Sequence, residues 1–194
     1  MFSLVVMFPV GCLVVRRGQP WKELGITKKG WLPSLVIGVL IFLFFLLGLW
    51  KNYGDKGADL NAMLAFNLVG LWEPFFVYGW LQLRFDRAFG IVPGIVLAGL
   101  CIGIYHIGSF PPGAVLSFAA LGCLFAIIFR LTSNLLVLWP LVGGASSSFS
   151  LLAADKTIGW NDVGFMTLVL LVQLAFIAIV WLRVAGHPPE GVPG

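Results

Sequence analysis

Long apolar runs separated by short polar connectors make up nearly the whole chain. The runs fall near residues 32–50, 60–83, 91–108, 113–129, 134–153 and 162–183. Each approaches the roughly 20 residues a helix needs to cross a hydrocarbon core of ~30 Å. Residues 1–15 form a seventh, weaker candidate, because about 15 helical residues rise only ~22 Å. No positive charge precedes this run and Arg16 and Arg17 follow it, which is not the layout of a signal peptide; it is read as a short or partial span. The expected fold is therefore all-α: a polytopic transmembrane helix bundle of six or seven spans in a single integral membrane domain over residues 1–194. The Pro/Gly-rich stretch 184–194 is expected to be a tail.

Composition sharpens this picture. The chain is 60% hydrophobic and 10% charged, with a mean hydropathy of +1.01, whereas a soluble domain carries roughly 25% charged residues. The net charge of +4 does not indicate nucleic acid, because the cations are scattered between apolar runs. Their distribution instead encodes orientation. Alternate connectors hold Arg16, Arg17, Lys22, Lys28, Lys29, Arg84, Arg87, Arg130 and Arg183, and the others hold Lys51, Lys56 and Lys156. Nine cations against three places the first set inside by the positive-inside rule. The N-terminus is expected outside and the C-terminus in the cytoplasm, in a membrane of the bacterial inner type. The expected partners are the lipid bilayer and other membrane proteins. Cys12, Cys101 and Cys123 stand far apart in apolar runs and suggest neither disulfides nor a metal pair.

Few polar groups remain at membrane depth, where a charge is costly and usually faces the bundle interior. Glu73 sits in LWEPFFVYGWL and His106 in GIYHIG. Pro74 removes a backbone N–H, so a kink is expected there, with the Gly70 carbonyl left unpaired beside Glu73. The plainer alternatives are a neutral Glu73 bonded to that carbonyl or a neighbour, and a helix-end His106 bonded to a carbonyl. Gln173 fits a bond to a neighbouring helix.

The order of these features resembles the CPBP family, the intramembrane metalloproteases that include CAAX-prenyl endopeptidases and bacteriocin-maturation proteins. PWKELGITKKGWLPSLVIG, Pro20–Gly38, is similar to the family's Leu-Gly-Ile/Leu segment. Glu73–Leu81, EPFFVYGWL, is similar to its E-E-x-x-x-R-G-x-L motif, and GIYHIG, Gly103–Gly108, to its F-x-x-x-H motif. LTSNLLVLWPLVGGASSSF resembles its closing segment. In that family the first glutamate is thought to activate water, while histidines from two helices support metal binding or the oxyanion. Glu73 matches that glutamate and His106 the first histidine. Pro74 stands where the second glutamate belongs and Tyr78 where the arginine belongs. Gly144 falls at the second histidine and Ser148 at the Asn position.

A catalytic zinc usually has three protein ligands and a water, and only Glu73 and His106 remain. Cys101 faces away from His106 by roughly 140° on the same helix, and His187 lies beyond the last span. The resemblance thus implies a degenerate protease site with no resident metal, in an accessory or scaffold subunit that binds transmembrane helices. Glu73 and His106 are its vestigial catalytic pair, with Pro74, Tyr78, Gly144 and Ser148 as pocket lining. Two alternatives stand beside it. One is an active intramembrane endopeptidase, holding zinc or using Glu73 as general base and His106 as oxyanion donor. The other is a pigment- or haem-binding subunit ligated by His106.

Overall fold

The computed structural model describes residues 2–53, 59–70, 72–153 and 157–186. Among these the fold is all-α and contains no strand. Helix α1 runs from Phe2–Val10 on through Gly11–Arg16, and a short turn, Trp21–Leu24, leads to α2, Trp31–Tyr53. Helix α3 is Leu60–Val69. Helix α4 joins Trp72–Pro74, Phe75–Gln82 and Leu83–Phe89, and α5 is Ile91–Tyr105. Helix α6 is Pro112–Thr132, α7 joins Trp139–Ser146 to Ser147–Ala153, and α8 is Trp160–Gly186. Three stretches, Trp31–Lys51, Pro112–Thr132 and Trp160–Arg183, are long and apolar enough to cross a membrane by themselves. Of the expected tail, residues 184–186 continue α8, while residues 187–194, Lys56 and Lys156 lie outside the described residues.

Local chemistry sets the helix ends. Asp59 caps α3 by accepting from the Ala62 N–H at 2.9 Å, the favoured role for a short acidic side chain. Pro112 opens α6 in the first turn, where a missing N–H costs nothing. Gly90, at φ 90°, turns the chain between α4 and α5 in a conformation that only glycine adopts easily.

The expected kinked helix over 60–83 is two helices. Gly70 is extended at φ −79°, ψ 96°, and α4 begins afresh at Trp72. Pro74 thus lies in a first turn, which tolerates proline, and Glu73 beside it gains from the positive end of the helix dipole. The strain expected at the proline appears after it. The backbone widens to π-helical winding over Phe75–Gln82, and similar stretches occupy Gly11–Arg16 after Pro9 and Trp139–Ser146 around Pro140. In all three a proline ring disturbs the ladder at the start, and the helix relaxes by loosening.

The core runs through Val10, Leu13, Leu24, Tyr78, Ala126 and Phe129. Helices α5 and α6 approach closely, with Gly99 against Cys123 and Ala119, and Gly103 against Ala119, as the Gly99/Gly103 spacing predicts. Leu24 and Gly25 push into the seam between α4, α6 and the turn before α7. Gly25, at φ 72°, lies under Phe129 and Leu135, the Leu135 N–H donates to the Gly25 carbonyl at 3.1 Å, and Asn134 Nδ2 donates to Thr27 O at 2.9 Å. Large apolar side chains of α2 and α8, such as Phe44 and Leu182, are exposed and form a surface fit for lipid.

Candidate functional site

A cavity of about 510 Å³ opens among α3, α4, α5, α6, α7 and α8. Glu73 and Pro74 face it from α4, and His106 faces it from the end of α5. The structure therefore brings together the two polar residues that the sequence singles out. Glu73 makes no hydrogen bond or ion pair among the described residues, so the alternative in which it bonds the Gly70 carbonyl does not arise.

His106 is held in one orientation. Its Nδ1 lies 2.8 Å from the Ile102 carbonyl, and a carbonyl only accepts, so Nδ1 carries the hydrogen. The ring stacks on Phe118 with centroids 4.2 Å apart, and Phe110 meets it at 5.5 Å. In the neutral ring Nε2 is then an acceptor.

The other expected lining positions divide. Tyr78 is fully buried in the core, with its ring near Phe129 and its hydroxyl 3.4 Å from the carbonyl of Gly122, itself a cavity residue. Ser148 is also fully buried and accepts from Asn67 Nδ2 at 3.0 Å, while Ser147 and Ser150 line the cavity. Gly144 belongs to α7 between Val142 and Ser147, both of which face the cavity. Sequence reasoning passed over Asn67, whose amide also donates to Met63 O at 3.0 Å. The signal was present, since an asparagine in an apolar run six residues before Glu73 is itself an intramembrane polar group.

No group of three His, Cys, Asp or Glu side chains gathers among the described residues, so those residues alone do not make up a three-ligand catalytic zinc site.

A second polar cluster lies at the opposite, basic end. Arg84 Nη1 donates to Glu23 O at 3.0 Å and Trp80 O at 2.9 Å, and its guanidinium lies 4.3 Å from the Trp80 ring centre. Burial, with the Arg87 charge adding to it, holds Arg84 below its usual range. Glu23 pairs with Arg87, and Asp86 faces Arg130 at 3.8 Å. Burial raises the Asp86 carboxyl above its usual range, and the Arg130 charge opposes the rise. Trp21 and Trp181 pack at 5.8 Å. These contacts tie helix ends together.

Residues 57–147 match the family described as type II CAAX prenyl endopeptidase, Rce1-like. The matched stretch, a little under half of the chain, resembles that family. It takes in Glu73–Leu81, Gly103–Gly108 and most of the closing segment, while Pro20–Gly38 lies outside it. No curated protein and no solved structure matches the chain. The matched stretch supplies nearly every cavity residue, and Ser150, Leu151 and Met166 complete the wall from beyond it. The apolar helices and the family likeness over residues 57–147 both fit an integral membrane protein.

Proposed function

We propose that this protein is a non-catalytic accessory or scaffold subunit, with six or seven crossings, whose cavity seats part of a transmembrane helix from another membrane protein. It would lie in a membrane of the bacterial inner type with the basic end cytoplasmic, in line with the charge distribution. The observation that carries the reading is the cavity itself. Glu73 and His106 face one space, and no third ligating side chain joins them among the described residues.

The test has two parts. Protein purified in mild detergent is assayed for metal and for cleavage of a prenylated CAAX peptide and a leader-bearing peptide, with Glu73→Gln as control. Protein captured from membranes is then examined for a stoichiometric membrane partner. Substoichiometric zinc, no Glu73-dependent cleavage and a co-purifying partner support the reading; cleavage lost in Glu73→Gln overturns it.

The competing reading, an active endopeptidase, draws on Glu73, which has no hydrogen-bond partner among the described residues and could act as a general base. Its weak point is His106. With Nδ1–H committed to Ile102, Nε2 donates to an oxyanion only when the ring is charged.

A further inference from the structure

The direction of the hydrogen bonds around the cavity constrains the charge of its occupant. Three lining side chains have donors committed to partners within the protein. Asn67 Nδ2 has two hydrogens, one given to Met63 O at 3.0 Å and one to Ser148 Oγ at 3.0 Å. The Met63 carbonyl only accepts, so the amide orientation is fixed and only Oδ1 is left over. His106 Nδ1–H goes to Ile102 O, leaving Nε2. The Ser147 hydroxyl donates to Val142 O at 2.9 Å. Glu73, ionised, accepts only. The hydroxyl of Ser109 rotates to either role. Among the described residues no lysine or arginine lines the cavity, and the remaining wall is largely aromatic, with Phe66, Phe118, Phe125 and Tyr105, whose hydroxyl can donate or accept, among its members.

Such a wall offers acceptors and ring faces and lacks a cation. An anion would meet Glu73 with no compensating charge, and a purely apolar ligand would leave the carboxylate desolvated and unpaired, which is costly. A primary ammonium carries three N–H donors, matching acceptor groups on α3, α4 and α5, and its cation is welcome at aromatic faces. We propose that the cavity takes a primary ammonium group on an apolar stem, with Glu73 as its counter-ion. The inference builds on the reading of the cavity as a seat for a membrane segment, where a lysine on that segment supplies the group; an amphiphilic amine offers the same chemistry.

The test uses the full chain in nanodiscs and calorimetric titration with n-octylammonium, n-octanol and n-octyltrimethylammonium. Saturable binding of the first, at least about tenfold tighter than either control and weakened about tenfold or more in Glu73→Gln, is expected for a charge-assisted pair. The two controls need only the wild-type protein, so the comparison stands even where the variant fails to fold. Equal binding of all three probes, or none of n-octylammonium, overturns the proposal. A second arm compares a membrane-spanning Leu/Ala peptide carrying a central lysine with its norleucine counterpart. Preference for the lysine peptide supports the proposal with lysine as the source. Equal binding of both peptides overturns the ammonium inference and leaves the helix-seating role standing. Binding of n-octylammonium without either peptide keeps the ammonium site and removes the helix-seating role.

Discussion

The carbonyl oxygen of Leu24 occupies the space that a side chain at Gly79 would need. Gly79 belongs to the E-P-F-F-V-Y-G stretch and Leu24 to the upstream Leu-Gly-Ile segment, so two stretches far apart in sequence meet as backbone against backbone. A Cβ at Gly79 would also meet the Leu135 side chain. Gly79→Ala is expected to destabilise by about 1–3 kcal/mol through overpacking, read as a lower midpoint of thermal unfolding in detergent. An unchanged midpoint would show that Leu24 can withdraw.

Glu73→Gln should behave differently. Because Glu73 has no hydrogen-bond or ion-pair partner among the described residues, the substitution breaks no such contact, and removing a costly charge outweighs the lost helix-dipole interaction. The unfolding midpoint is expected to hold or rise, while any ligand-dependent stabilisation disappears. A clear fall in the midpoint of the ligand-free protein would mean that Glu73 supports the fold.

Asn67 anchors α3 to α7 through Ser148 and also bonds Met63 in its own helix. Asn67→Ala removes the buried bond that links α3 to Ser148 of α7, at a cost of about 0.5–1.5 kcal/mol. Ser148→Ala should cost less, because Asn67 keeps its bond to Met63. The order of the two midpoints checks this.

The pH response of the basic end follows from Asp86. Both of its oxygens are buried and lack a hydrogen bond, and its carboxyl titrates above the ordinary carboxylate range because of burial, with Arg130 opposing. A raised folded value means that the folded state holds the proton more tightly. That contribution is fully present below the unfolded-state value and is lost as pH rises through the folded one. As pH rises from the ordinary carboxylate range through the raised folded-state value, Asp86→Asn should therefore flatten the decline in stability and raise the midpoint at pH above that value. A lowered midpoint there would show that the Arg130 pair outweighs desolvation.

Much of this was legible from apolar runs alone. Length and all-round hydrophobicity reveal the long helices, because membrane helices need little else. Glu73 and His106 stood out because charge at depth is rare, and the structure sets both on one cavity. The break at Gly70 was harder to see, since an apolar run continues through it unaltered and only the pairing of Gly70 with Pro74 hints at a fresh start. The serines of α7 were hardest. Reading Gly144 and Ser148 as pocket lining assumes a regular helix after Pro140, whereas Trp139–Ser146 winds more loosely. Ser147 faces the cavity while Ser148 is turned toward Asn67. The sealing role of Leu24 and Gly25 left no periodic trace, because it depends on a loop's backbone shape.

The loosened coils that follow Pro74 and accompany Pro140 have a bearing on how this chain tolerates changes of length. Slack in the winding can absorb a residue lost or gained without swivelling everything downstream. Excising one residue from Phe75–Gln82 or Trp139–Ser146 should let the coil tighten in place, whereas the same excision midway along α6 would rotate Gly122 and Ala126 off their neighbours. Among kindred sequences, single-residue indels are accordingly expected to gather at those two stretches.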